Sequence, residues 1–326
     1  MPQCFFDGFF GERKAKKAIA DFFPPALQKP GYREEGAAWD SAFRSQLHWV
    51  SFLPDSLSEF FQSALFSIVA PGVASLEDSA QKLKNVLRDR ISMSRGRTME
   101  GIRISGLAFD GKKLVGVKWE GEEHFFASKI VIWCESPKLV LDMLPESFRR
   151  KKPFLAIEAL SPLGFWATHR FPVNEDALPL GLCDRLAFVE ADEKYPIILQ
   201  REFQPAESGE TVFNLSLYLP YKGETEKELW QRLEPLFESA LKRVKGVMPF
   251  AKIGACASKK DEIMRSLFPV YPPKSDCPMG ITAYSPLTTV PNLLLGGPHL
   301  WPSLGMVGEL MLGQQLAMIC VEKLSK

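Results

Sequence analysis

Residues suited to chemistry concentrate near the carboxyl end of this chain of 326 residues. An apolar run, Asn292-Leu293-Leu294-Leu295, leads into Gly296-Gly297-Pro298, and Pro302, Gly305, Gly308 and Gly313 follow. The pattern predicts a buried strand, a short loop and a helix whose first turns hold Gly305 and Gly308. Glycine at a strand-to-helix turn lets backbone approach a bound molecule closely. The helix start then offers unpaired N–H groups to electron-rich atoms. That is the layout of a cofactor-holding site. The same glycines would also serve a tight strand-loop-helix turn with no ligand, and both readings stay open.

Other candidates carry less. The histidines His48, His124, His169 and His299 are isolated in sequence, and only His299 falls in a plausible ligand loop. Ser161 and Asp184 have no base or metal partner at a telling spacing, so a hydrolase is not supported and no catalytic residue is assigned. Trp301 and Phe165 are candidates to line an apolar substrate cavity, or simply to fill the core. The six cysteines (Cys4, Cys134, Cys183, Cys256, Cys277, Cys320) include no CxxC pair. No metal site is expected, and free buried thiols in a reducing cytoplasm are.

Composition narrows the class. An apolar fraction of 46% and a charged fraction of 24% are those of an ordinary globular protein, large enough for two subdomains. A net charge of +1 gives no reason to expect nucleic acid. The basic run Arg149-Arg150-Lys151-Lys152 reads as a solvated loop. No transmembrane segment or secretory signal is expected. Phe5, Phe6, Phe9 and Phe10, beside Arg13 to Lys17, would form either an aromatic stripe on the protein's own core or a face for a membrane surface or partner.

The elements that must position these residues follow from periodicity. Residues 1–90 read as mostly helical, over 14–23, 39–50, 55–69 and a helix opened by Ser75 with an apolar stripe at Leu76, Leu83, Val86 and Leu87. The period then changes to two. Residues 102–109 and 114–119 form a hairpin about Asp110-Gly111. Ile130-Val131-Ile132 reads as a strand buried on both faces, and a helix follows from Pro137 to Leu144. Strands are expected at 156–160, 165–170, 186–190, 197–203 and 212–219, a helix at 226–244 and a strand at 252–258. Residues 261–286 read as a proline-rich surface passage.

In this order the elements of 75–145 and 292–320 resemble the superfamily of flavin-dependent amine oxidases, phytoene desaturases and protoporphyrinogen oxidases. Three stretches carry the resemblance. The first is the helix of 76–87 followed by Ile104, Leu107, Gly111 and Gly116-Val117. The second, Ala127-Ser128-Lys129-Ile130-Val131-Ile132-Trp133-Cys134, is similar to the family's Ala-Asp-x-Val-Ile strand. The third and most specific is the C-terminal strand, double glycine, proline and glycine-containing helix.

The resemblance implies FAD as cofactor, with contacts from Ile104, Gly296, Gly297, Gly305, Met306, Val307 and Gly308. It implies an α/β (α+β) fold: an incomplete Rossmann-like FAD/NAD(P)-binding domain plus a substrate-type domain with a mixed sheet and helices. The expected division is 1–95 (helical, substrate-type), 96–150 (hairpin and strand, FAD-type), 151–285 (substrate-type) and 286–326 (strand-loop-helix, FAD-type). The departures are Ser128 for the usual Asp, Trp133 and Cys134 near customary small residues, Pro298 at an acidic position, Glu309 for Ala, and no GxGxxG. Two functions are therefore expected. One is a flavin-dependent oxidoreductase acting on an apolar or amine small molecule. The other is a non-catalytic scaffold or binding module in which a partner chain or second copy covers the place of the first dinucleotide-binding unit.

Overall fold

The computed structural model describes residues 47–48, 51–53, 62, 65, 79–121, 126–189, 195–202, 210–253, 265–273 and 283–325. The aromatic-basic N-terminus, His124 and the helices expected at 14–23, 39–50 and 55–69 fall wholly or largely outside these residues. So do 254–258 of the strand expected at 252–258; Lys252 and Ile253 are irregular.

The chain is an α/β protein, and its described residues form three sheets. Helix α1 (Ser79–Met93) leads to a meander of β1 (Ile104–Asp110), β2 (Lys113–Trp119) and β3 (Phe126–Ala127). Asp110 pairs with Lys113 across a two-residue turn, and Gly111 supplies the positive φ of 58° that such a turn needs. The apolar stripe expected on α1 is present but not covered: Leu83, Val86 and Leu87 are all exposed.

Strand β4 (Val131–Trp133) pairs in parallel with β10 (Leu293–Leu295), Val131 opposite Leu293 and Trp133 opposite Leu295. The expectation that Ile130-Val131-Ile132 is buried on both faces is met fully only at Val131, since Ile130 is half-buried. Val131 and Trp133 are buried, whereas Ile132 is 41% exposed. Beyond β4, no further strand pairs with this edge among the described residues. The face that carries Ile132 also lacks the full cover that both faces of a parallel sheet usually have.

Three short helices follow β4: α2 (Pro137–Asp142), α3 (Glu146–Arg149) and α4 (Lys152–Glu158). The strand expected at 156–160 is thus mostly helix. Pro153 sits in its first turn, and Phe154 and Ile157, three apart, are its buried residues. The basic run is likewise structured. Arg149 bonds Glu158 at 2.7 Å, Arg150 bonds Glu146 at 2.8 Å, and the Lys151 amine lies 4.6 Å from the Phe148 ring centre.

The second body is a five-stranded sheet in the order β6-β7-β8-β5-β9. Its strands are β5 (Gly164–Asn174), β6 (Arg185–Phe188), β7 (Ile197–Glu202), β8 (Glu210–Pro220) and β9 (Arg265–Val270), antiparallel throughout. β9 lies inside the passage expected to be surface coil, because Pro269 on an otherwise apolar edge strand masked the pattern. One face of the sheet (Ala167, Phe171, Val173, Leu199, Phe213, Leu215) packs on α5 (Glu226–Val247) through Leu229, Leu233, Phe237, Ala240 and Val244. Thr225 starts α5 with a full capping box: its hydroxyl accepts from the Glu228 N–H, and the Glu228 carboxylate accepts from the Thr225 N–H. Replacing Thr225 by Ala should cost about 1 kcal/mol in denaturant unfolding. The same N–H and hydroxyl donors lower the Glu228 pKa. The cap's stabilisation is therefore present above the ordinary glutamate range and is lost as pH falls through the depressed folded-state value.

The closing helix α6 (Gly305–Leu324) lays Met311, Leu312, Leu316 and Ile319 on the core made by Leu107, Leu114, Val131, Trp133 and β10. Among the described residues no helix is long and apolar enough to cross a membrane.

Candidate functional site

Open α/β sheets place ligands outside the carboxyl ends of their parallel strands. Here β4 and β10 end side by side, and the chain leaves β10 through Gly296 and Gly297. The Gly296 N–H donates to the Trp133 carbonyl at 2.8 Å, extending the pairing by one residue. Gly297 then turns with φ 86°, and a Cβ on it would stand 2.2 Å from the Cys134 carbonyl oxygen. A Cβ on Gly296 would meet Leu316 at 3.1 Å and the Cys134 sulfur at 3.2 Å, and one on Gly308 would meet Leu304 Cβ at 2.6 Å. These three glycines are therefore needed where the chain crosses itself. Their space is filled by protein. Of the two readings of the glycines, the tight turn is the one with atoms behind it.

The first turn of α6 contains Gly305 (φ 52°), Met306, Val307 and Gly308, as expected. Its N-cap residue, Leu304, makes no side-chain cap. The first-turn N–H groups consequently lack the side-chain oxygen that usually satisfies them. Ile104 is elsewhere: it lies half-buried in β1 opposite Trp119, packed against the same core. The structure thus brings Gly296, Gly297, Gly305, Met306, Val307 and Gly308 into one strand-loop-helix corner and leaves Ile104 in the neighbouring meander.

A polar and aromatic cluster surrounds this corner. Sequence reading did not single out Tyr271 or Tyr284. Tyr284 is 3% exposed, and its hydroxyl is buried without a hydrogen-bond partner. Burial above all, and then the nearby Tyr271 and Cys134, push its pKa upward, so it stays a phenol and a donor. Burial also raises Tyr271, against an opposing hydrogen bond with Ser136. Cys134 has exposed surface, but its sulfur lies against Gly296, and that burial, aided by Glu135, raises its pKa. His299 stacks on Phe268 at 4.6 Å and bonds the Pro269 carbonyl through Nδ1 at 3.2 Å. Burial holds its pKa below the ordinary value, so it is neutral at pH 7. The cluster is uncharged apart from Glu135.

His299 also ties the corner to the second sheet, because Phe268 belongs to β9. A further tie is the segment 51–53: the Ser51 hydroxyl donates to the Ser303 carbonyl, Phe52 N–H to Pro302, and Trp166 Nε1 to the Phe52 carbonyl. Trp301 is 2% exposed and part of the main core; Phe165 packs on Tyr221. Neither adds a site feature. Cys134 and Cys183 are exposed and Cys320 half-exposed, so the expectation of buried thiols fails for the first two and is only partly met at Cys320; Cys4, Cys256 and Cys277 lie outside the described residues. Glu309 is exposed; partial burial of its carboxyl raises its pKa. No cluster of metal-ligating side chains occurs among the described residues.

The corner fits the ring end of a flavin in two respects: an uncapped helix start and a buried phenol with no partner, both suited to acceptor atoms. It does not fit through an open glycine cradle, and the pyrophosphate end has no counterpart among the described residues.

No family model matches the chain, and no curated protein does. Solved structures do. An oxidoreductase from Methanosarcina mazei aligns with a TM-score of 0.56 at 14% identity, covering 94% of this chain and 72% of that one. A protein from Pyrococcus furiosus aligns with a TM-score of 0.52 at 11% identity, covering 95% and 73%. The likeness loosens to a TM-score of 0.45 with glycine oxidase from Bacillus cereus, at 13% identity over 98% and 84%. At these identities the shared property is the fold, and this chain has the α/β fold of that oxidoreductase.

Proposed function

We propose that the chain works in a flavin-dependent oxidoreductase of the amine oxidase or phytoene desaturase type, acting on an apolar or amine-bearing small molecule. The observation that carries this is the corner itself: a parallel strand pair, a double glycine and an uncapped helix start, in a chain that shares its fold with an oxidoreductase over 94% of its length. The residues that would hold the ring are the first-turn N–H groups of Gly305 to Gly308 and the Tyr284 hydroxyl. When bound, FAD supplies the acceptor for hydride. The chain's own part is to orient the ring by hydrogen bonds and, through the packed loop of 297–304, to keep water from its face. Purified protein mixed with FAD and passed through gel filtration should carry visible flavin absorbance in the protein peak. A colourless peak, together with unquenched FAD fluorescence in the mixture, would remove this reading.

A second reading, a non-catalytic module that pairs with another chain, draws on different observations. Gly296, Gly297 and Gly308 are accounted for by self-packing, and Ile132 and the α1 stripe stand uncovered. Exposed apolar surface and an open strand edge favour association. The expected result under this reading is a dimer or mixed complex by light scattering and no bound flavin.

A further inference from the structure

The face of the five-stranded sheet opposite α5 carries a row of polar side chains. Cross-strand register aligns Arg185 on β6, Gln200 on β7, Asn214 on β8 and Arg170 on β5, so all four point to the same side. Three strand spacings separate the two arginines, roughly 14 Å between their Cα atoms, within reach of two long side chains turned toward one another.

The Glu202 carboxylate, on the same face, is held from two sides. Arg170 Nη2 donates to one oxygen at 2.6 Å and Asn214 Nδ2 to the other at 2.7 Å. That arrangement fixes the Arg170 guanidinium but leaves its Nε buried without a hydrogen-bond partner. A buried donor on a charged group without an acceptor is unfavourable, and this N–H remains able to donate to an acceptor brought by a ligand. Arg185 faces the same patch. Burial lowers its pKa to about 10, and it remains a cation at neutral pH. The row therefore has a partly desolvated guanidinium at each end, Arg170 paired with Glu202 and Arg185 three strands away, with two amide side chains between them. Planar guanidinium forks are matched to carboxylate and phosphate oxygens.

We infer that this row is an oxyanion-binding site, with Arg170 and Arg185 as the cationic ends and Asn214 and Gln200 as neutral hydrogen-bonding groups between them. Its ligand is a phosphate or carboxylate group of a small molecule. The site is separate from the glycine corner and does not depend on a flavin.

Calorimetric titration at low ionic strength with inorganic phosphate, and separately with citrate, tests it. One anion should bind with a single site per chain, and its affinity should fall as salt rises. Arg170→Gln and Arg185→Gln should each weaken binding about tenfold or more. Gln200→Glu should abolish it; Gln200 is exposed, so this change places a repelling carboxylate in the row without disturbing the core. Arg201→Gln, on the opposite face, should leave binding unchanged. Preference for phosphate identifies a phosphorylated ligand, and preference for citrate a carboxylated one; either result supports the site. Binding no tighter than that of chloride, or wild-type affinity in folded Gln200→Glu, overturns it.

Discussion

Replacing Gly297 by Ala should destabilise the protein by about 2–5 kcal/mol, among the largest losses expected of a single substitution. Two separate costs combine. The residue sits at φ 86°, where a Cβ costs roughly 1–2 kcal/mol even in open space. The new methyl would also stand 2.2 Å from the Cys134 carbonyl oxygen. That oxygen is backbone at the end of β4, so it cannot swing aside like a side chain; relief requires separating β4 from β10 at the corner. Overpacking of this kind costs typically about 1–3 kcal/mol more. Gly111→Ala is the matched control. It too has positive φ, at 58°, but nothing lies within 4 Å of its Cβ. Only the conformational cost should appear there, about 1 kcal/mol. Urea unfolding of the two variants separates strain from collision. Equal losses would mean that the two strands do not meet as described, and the corner would lose its geometric basis.

The same contrast shows what the sequence made legible. Double glycine after an apolar run predicted the strand, the loop and the helix, and all three occur within a residue or two of their expected limits. The sequence did not reveal why the glycines are there. A Cβ collision with Cys134 is a contact across 163 positions of chain, and periodicity contains no such information. Tyr271 and Tyr284 were missed for the same reason. Each lies in irregular chain within two residues of a proline, and its importance comes only from burial near the corner, Tyr284 beside Cys134 and Tyr271 beside Ser136. The helix at 152–158 was misread because its seven residues make barely two turns, too short to separate a period of 3.6 from one of two. The hairpin at Asp110-Gly111 and the amphipathic α5 were legible because turn chemistry and burial pattern agree there. The anion row was invisible in sequence. Arg170, Arg185, Gln200 and Asn214 come from four strands and are gathered only by register.

Helix α5 contains a residue whose removal should stabilise the protein. Pro235 lies inside the helix, between the buried Leu233 and Phe237. Proline there has no N–H for the carbonyl four residues back, and its ring crowds that carbonyl. Against Ala the intrinsic cost is about 3 kcal/mol. Pro235 is itself exposed, so replacing it removes no packing. Part of that cost is recovered in the native protein, because proline also restricts the unfolded chain. Pro235→Ala should therefore raise stability by about 1–3 kcal/mol, an upward shift in the urea midpoint with little change in slope. A helix bent at this point would follow the twist of the sheet it covers, bringing Leu229 and Val244 down onto the same strands. If that bend is what seats the helix, the gain will be small or negative, and the contacts of Leu229 should weaken first. Unchanged slope with a raised midpoint would show that side-chain packing, not the proline, sets the curvature. It would also mean that α5 holds the anion row's sheet in register from the opposite face without help from a kink.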